Sequence, residues 1–368
     1  MKKALEKFKH FFPALAFFIG FAWDSITLGR MVYSSDLLFL LAYYFGALIL
    51  LILLSASKMD SHLHAEPGWK LSKAYRVRNF FLNREWSEKW TSRFTWAVQF
   101  CFGSLFSALV ICYFKSSGSL ASLFLVLFLT ALLIGNEFLQ RRYESFAVSL
   151  SFFCLLGTMF LNFAIPHWVH RLGVIWFLIS TFLSLFLCYG IWKLSGRPLK
   201  VFFAPIAISA LLIVMYFFNV IPPVPLVVKQ HNVCLHFDRA TYSCQVESPT
   251  ILERMGLSTQ SLSWQPSEGE IFFLSSVFAP NKVKANIEHR WSYYNPKTEK
   301  FELTDRISSS RMAVQGGRES GFRTYTKKKN LSYGRWRVET ALQNGAVIGS
   351  KEFNVREGVP NGQTWILE

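Results

Sequence analysis

Long apolar runs separated by short basic connections are the feature that most restricts this 368-residue chain. A helix needs ~20 largely apolar residues to cross ~30 Å of hydrocarbon. Segments 11–28, 37–57, 94–114, 120–138, 143–165, 172–192 and 201–221 reach or approach that length. Among open structures, only helices satisfy their own backbone hydrogen bonds through such segments. The expectation is therefore a bundle of about seven transmembrane helices over 1–228, followed by a polar, turn-rich domain over 229–368. The first run has a cleaved signal peptide as its alternative. Against that, no small-x-small cleavage site follows it and a second run arrives almost at once.

Charge orients the bundle. The net charge of +16 would suggest nucleic acid on a soluble protein. Here Lys and Arg outnumber Asp and Glu by 20 to 9 before Lys229 and by 19 to 14 from there on, so most of the excess lies beside the apolar runs. With the N-terminus inside, the inner segments hold 17 Lys/Arg. The outer loops before the last run hold only Arg30, Lys115 and Arg171. Positive residues stay cytoplasmic, so seven crossings would leave the C-terminal domain outside the cytoplasm. The basic, aromatic inner stretch "HAEPGWKLSKAYRVRNFFLNREW" reads as an interfacial segment on anionic lipid rather than a nucleic-acid patch.

Cys101, Cys112, Cys154 and Cys188 fall within apolar runs, where small apolar packing is the plain reading. Cys234 and Cys244 are the two in the polar domain, symmetric about Arg239 in "VCLHFDRATYSC". A hairpin centred there would oppose them at a Cα spacing that suits a disulfide. The alternative is two unpaired core thiols. Prolines 222, 223 and 225 end the last run. Beyond them, "EIFFLSSVFA", "VKANIEHRWSYY", "GFRTYT", "GRWRVETAL" and "AVIGSKEFNV" read as short strands, with Asn344-Gly345 marking a hairpin between the last two. About seven or eight such strands suggest an all-β, antiparallel, immunoglobulin-like sandwich. Trp336 and Val338 would face inward, and Arg335, Arg337 and Glu339 would face water.

The series "IEHRWSYYN", "GFRTYTKK" and "GRWRVETALQNGAVIGSKEFNV" resembles the bacterial domain of unknown function 2914. The membrane half, with "GFAWDSITL", "FGSLFSALVICYFKSSGSL", "LLIGNEFLQRRY" and "PHWVHRLG", resembles the multi-span members of that family. The resemblance implies this architecture and no reaction. One local departure is "EHRWSYYNPKTEKF", where relatives have a tighter turn.

Candidate sites follow from chemistry. His289 and Trp291 lie two apart on one strand face and could offer an imidazole and an aromatic platform to a sugar or peptide. Core packing is their plain alternative, as it is for Trp336. Arg323 completes the candidate ligand-binding set. "TKKKN" at Thr326–Asn330 reads as a solvated hairpin with some attraction to anionic lipid. Asp24, Asn136, Glu137 and Arg141 are candidates for a polar intramembrane site. Glu137 and Arg141 are spaced for a helical ion pair, and Asp24 lies near the outer edge of the first run beside Arg30. "PHWVHR" and "DSHLH" are incomplete metal-ligand sets, so neither metal nor other cofactor is expected.

The chain has no GxSxG, P-loop, GxGxxG or CxxC motif. The resulting expectation is non-catalytic: a bacterial inner-membrane anchor presenting an extracytoplasmic module to an envelope glycan, peptide or protein. The lipid bilayer is its surroundings, and nucleic acid is not a partner. The alternatives are a transporter or membrane-embedded enzyme with its site near Asp24 and Glu137, and a structural envelope assembly factor.

Overall fold

The computed structural model describes residues 34–57, 88–138, 145–248, 250–254, 258–265, 269–280, 282–329, 331–359 and 363–366, together with Phe21, Ala22 and Ile26. Asp24, Arg30, Arg141, "DSHLH" and the whole of the basic inner stretch lie outside the described residues, as does the side chain of Glu137. The described residues form two compact units. One takes in the described residues of 1–114, 124–165 and 173–218, and the other those of 115–123, 166–172 and 219–368.

The first unit is helical. Its elements are α1 Ser34–Ser57, α2 Glu88–Lys115, α3 Leu120–Phe138, α4 Phe146–Val169, α5 Val174–Ser195 and α6 Lys200–Phe217. All except α3 are long and apolar enough to cross a membrane; the apolar part of α3, Leu120–Asn136, is shorter. The expected seven spans thus reduce to five among the described residues. The side chains of α3 beyond Asn136 and most of the first expected span fall outside the description.

α1 and α5 each show a buried stripe, whereas α4 is buried on all sides from Phe153 to Pro166. On α1, Leu37, Leu40, Tyr44, Ala47, Leu51 and Leu54 are buried at alternating three- and four-residue intervals, the spacing of one helix face. Leu38, Phe39, Phe45 and Ile49 are exposed on the rest. On α5 the buried stripe includes Ser180, Thr181, Ser184, Cys188 and Ser195, while Ile175, Phe182, Leu183 and Phe186 point outward. On α5, hydroxyl and thiol side chains thus lie inside together with Phe177 and Ile191, and other large apolar side chains lie outside. Helices associate in this way when their surroundings are as apolar as their own side chains. Interhelical hydrogen bonds tie the unit together. Gln99 Nε2 donates to the Asn136 carbonyl at 2.9 Å, Asn136 Nδ2 donates to the Gln99 carbonyl at 3.4 Å, and Tyr113 Oη donates to the Met159 carbonyl at 3.0 Å.

The second unit is built on eleven strands and the short helix α7 Ile251–Arg254. β1 Val227–Cys234, β5 Ile271–Phe278 and β8 Phe322–Lys328 make one antiparallel sheet in the order β1-β5-β8. β4 Gln260–Trp264, β6 Lys284–Asn295, β7 Lys300–Gln315, β9 Gly334–Leu342 and β10 Val347–Glu357 make a second sheet in the order β4-β10-β9-β6-β7. The expected all-antiparallel arrangement needs one correction, because β4 runs parallel to β10. The loop at Asn344-Gly345 does join antiparallel β9 and β10, with Gly345 at φ 100° and Asn344 Oδ1 accepting from Ala346 N. One core is shared by Val233, Ile271 and Phe273 from the first sheet and Leu262, Trp291, Trp336, Val338, Phe353 and Val355 from the second. Arg335, Arg337 and Glu339 alternate with this buried face, Arg335 exposed and the other two half-buried.

A third small sheet, β11-β3-β2, consists of β2 His236–Asp238, β3 Ser243–Glu247 and β11 Gln363–Ile366. The disulfide between Cys234 and Cys244 is present, with a Cα separation of 5.4 Å, but the expected hairpin register is shifted. Phe237 lies opposite Cys244, and Cys234 belongs to β1 opposite Phe272. The bond therefore staples one sheet to another instead of crossing a hairpin. Asp238 causes the shift by accepting hydrogen bonds from Ala240 N and Thr241 Oγ1, which starts the turn at 238.

Two loops belong to the sheet-bearing unit. In 115–123, Ser119 and Ser122 exchange side-chain-to-backbone hydrogen bonds that cap α3. A Cβ at Gly118 would collide with the backbone of Ile348 and Gly349. In 166–172, the His170 carbonyl accepts from Lys284 N at 3.3 Å, and Leu172 packs on the core lined by Val283, Ile287 and Ile348.

Inside the shared core runs a polar seam. Trp291 Nε1 donates to Thr326 Oγ1 at 3.2 Å, and Thr326 Oγ1 lies 2.9 Å from His289 Nδ1. His289 Nε2 lies 3.4 Å from Thr324 Oγ1, which donates to the Ser275 carbonyl. A neutral His289 protonated on Nε2 satisfies every group in this chain. His231 Nε2 lies 3.0 Å from Thr340 Oγ1, which donates to Ser275 Oγ. Burial pushes His231 down to about 4, partly offset by its hydrogen bond to the Ser350 backbone, with the Lys351 charge adding to the depression. Burial and then the proximity of His231 push His289 down to about 3.

Two predictions follow from this packing. Both histidines bind a proton more weakly folded than unfolded, so their contribution is intact above pH ~6.5 and is lost as pH falls toward 4 and 3. Unfolding of the full-length protein in detergent should show stability falling by up to about 1.4 kcal/mol per pH unit per histidine below pH 6.5. The His231→Gln/His289→Gln variant should lose that part of the slope between pH 6.5 and 5; an unchanged slope would refute the assignment. Gly118→Ala should lower the unfolding temperature, at a cost of about 1–3 kcal/mol for overpacking against backbone. Gly190→Ala, on α5 with nothing within 4 Å of its Cβ position, should not.

Candidate functional site

Alternation along β8 sends Thr324 and Thr326 into the core and turns Arg323 and Tyr325 to the opposite face of the sheet. Pairing with β5 places Tyr325 opposite Leu274 and Arg323 opposite Ser276. The small third sheet covers part of this face. It brings Phe237 to 4.6 Å from the Tyr325 ring and 5.8 Å from the Phe272 ring. Tyr242, held at φ 54° after the Asp238 turn, meets Phe237 edge-on at 5.8 Å. Cys234 and Cys244 lie beneath this aromatic group and bind its two halves covalently.

Two guanidiniums complete the cluster. Arg323 Cζ lies 6.0 Å from the Tyr242 ring centre, and Arg239 Cζ lies 5.8 Å from that of Tyr325. Both distances lie within the range in which a cation is attracted to a ring face. Arg239 is exposed, and Arg323, Phe237, Tyr242 and Tyr325 are half-buried. The carboxylate nearest in sequence, Asp238, is engaged in its own turn: hydrogen bonds from the Ala240 backbone and then the Thr241 hydroxyl hold it below the usual carboxylate range. Arg239 forms no ion pair among the described residues.

Several other basic groups on this unit are paired with acids, although Arg318, 5.6 Å from the Phe322 ring centre, forms no ion pair among the described residues. Arg335 and Arg337 lie over Phe301 at 5.7 and 3.8 Å, but Glu352 accepts from Arg335 at 3.1 Å and from Arg337 at 2.5 Å. The lysines of "TKKKN" are not a freely solvated run. Lys327 and Lys329 reach Glu270 at 2.9 and 3.2 Å and hold its carboxyl low, while Lys328 pairs with Asp305 beside the Trp336 ring. The Arg239–Arg323 cluster thus combines aromatic faces with positive charge that no described carboxylate offsets at Arg239.

The remaining expected site residues fall elsewhere. His289 and Trp291 are 0% exposed and Trp336 is 3% exposed. They lie in the core between sheets, where strand alternation directs them, and present no surface to a ligand. Asn136 is buried in the reciprocal contact with Gln99. Among the described residues no three His, Cys, Asp or Glu side chains group as metal ligands. Sequence reasoning identified Arg323 but missed Phe237, Arg239, Tyr242 and Tyr325. The available signal was an aromatic and basic loop bounded by two cysteines.

Comparisons with known proteins add little chemistry. No match is found among curated proteins. A solved structure, Pseudomonas fluorescens alkylpurine DNA glycosylase AlkC bound to DNA containing an abasic site analog, aligns at 10% identity over 77% of this chain and 85% of that chain. Its TM-score of 0.21 carries no argument. Residues 284–355, from the start of β6 to Val355 in β10, match the model of the family described as protein of unknown function (DUF2914).

Proposed function

We propose that this is a multi-pass protein of the bacterial cytoplasmic membrane, with its N-terminus inside and an immunoglobulin-like β-sandwich outside, and that the sandwich binds an acidic glycan of the cell envelope. The binding reading rests on the pairing of Arg239 and Arg323 with Tyr325 and Tyr242. Aromatic faces suit the apolar faces of sugar rings, and the guanidiniums suit uronate carboxylates. The disulfide beneath holds the rings in place, so little ordering would be required on binding.

The membrane reading is supported by the large apolar side chains exposed on the helices and by the division of Lys and Arg among the connections. It is supported again by loops 115–123 and 166–172, which carry few basic residues and group with the sheets in one compact unit.

Full-length protein in nanodiscs should bind an oligogalacturonate, more weakly as salt rises, and should not bind a neutral glucan of the same length. Arg239→Gln/Arg323→Gln should weaken binding by at least about tenfold, equivalent to ~1.4 kcal/mol. Equal affinity in a variant that remains folded, or equal binding of the neutral glucan, would refute the site. A reporter active only outside the cytoplasm, fused after Glu368, should be active; silence at normal expression would refute the orientation.

A further inference from the structure

The α5–α6 connection and the start of α4 meet at one end of the helical unit and carry a cluster separate from the β-domain site. The connection is tightly built. Gly196 caps α5 in the left-handed region at φ 64°, and the Trp192 indole donates to the Pro198 carbonyl at 3.3 Å. Ser195 Oγ donates to the Trp192 carbonyl at 2.7 Å and accepts from Arg197 N at 3.4 Å. Phe202, in the first turn of α6, stacks on Trp192 at 5.4 Å and meets Tyr189 edge-on at 5.8 Å. Tryptophan and tyrosine favour the depth at which hydrocarbon gives way to lipid headgroups.

Three cations belong to this connection. Lys193 Nζ lies 5.7 Å from the Tyr189 ring centre, Arg197 Cζ lies 4.7 Å over the Phe146 ring at the start of α4, and Lys200 opens α6. None of the three forms an ion pair among the described residues. Along these helices no acid is available, because the sequence has no Asp or Glu from Ser145 to Phe237. Helix α6 also begins without a side-chain cap, which leaves its positive end beside Lys200. Topology alone explains exposed lysines in such a connection. It does not explain Arg197, which is half-buried, with Nε buried and without a hydrogen-bond partner. Burial lowers the pKa of this guanidinium, as expected of a cation drawn out of water without a countercharge.

We propose that Lys193, Arg197 and Lys200 hold the phosphodiester of an anionic phospholipid, with its acyl chains against the exposed apolar side chains of α5 and α6. The planar guanidinium can bind phosphate oxygens through two N–H groups at once, and the ammoniums add charge. Phe186, Leu199 and Phe203 are exposed on and between the two helices and supply the apolar surface. This lipid site rests on the membrane reading of the helices, and its test keeps the two apart.

Full-length protein in detergent is mixed with phosphatidylglycerol or with phosphatidylcholine of the same chains, and retained lipid is counted by native mass spectrometry. Wild-type protein should retain one phosphatidylglycerol, about tenfold or more tightly than phosphatidylcholine. Phosphatidylglycerol should also raise its unfolding temperature. Lys193→Gln/Arg197→Gln/Lys200→Gln should lose both effects, while Lys115→Gln/Arg171→Gln, at the C-terminal ends of α2 and α4, keeps them. Equal retention of the two lipids by wild-type protein, which needs no variant, would overturn the site. So would retention by the triple variant, equal loss in the double variant, or displacement of the lipid by millimolar inorganic phosphate. Release of the protein from membranes by alkaline carbonate without detergent would instead overturn the membrane reading, and the lipid site with it.

Discussion

The helical unit depends on an exterior as apolar as its interior: Phe182, Phe186 and Leu211 face outward, while the hydroxyls of Thr181, Ser184 and Ser209 are buried in a core that also holds Phe102, Phe153, Phe160 and Phe177. In water, burying Ser184, Thr181 and Ser209 while exposing Phe182, Phe186 and Leu211 would forfeit the hydrophobic effect that drives folding. Against hydrocarbon the balance changes. Outward phenylalanines cost nothing there, and helix contacts gain from small residues that permit close backbone approach and from hydrogen bonds such as Gln99 to Asn136. The same condition raises the cost of any polar group without a partner.

The β domain uses the opposite arrangement, with Trp291, Phe273 and Phe353 buried and charged pairs on the exterior. Its polar seam is an exception that its own geometry resolves. Trp291, Thr326, His289, Thr324 and Ser275 form a chain in which each donor finds an acceptor, so two sheets are joined by direction as well as by apolar contact. The Cys234–Cys244 bond extends this logic outward, fixing a small third sheet on the outer face where Tyr325 and Arg323 emerge.

Parts of this arrangement were legible residue by residue. Trp336 and Val338 against Arg335 and Arg337 follow from strand alternation, and the β9–β10 turn follows from Asn344-Gly345. The cysteine pair was legible as a pair but not in its register, because the Asp238 side chain moved the turn. His289 and Trp291 had the chemistry of a binding face. Periodicity puts them on one side of β6 without saying whether another sheet covers that side, and here one does.

The sequence by itself determined the local matters: which runs form helices, which residues share a strand face, and where the chain turns from apolar to polar. These depend on spacing and on neighbours a few residues away. Only the tertiary structure decided which charges remain uncompensated and which polar atoms meet. Glu352 offsets Arg337 and Glu270 offsets Lys327 across strands, while Asp238 turns away from Arg239. Cys154 meets Ser209 from another helix. The physical reason is range. Propensity and periodicity act along the chain, whereas Coulomb and hydrogen-bond energies are decided over a few ångströms in space.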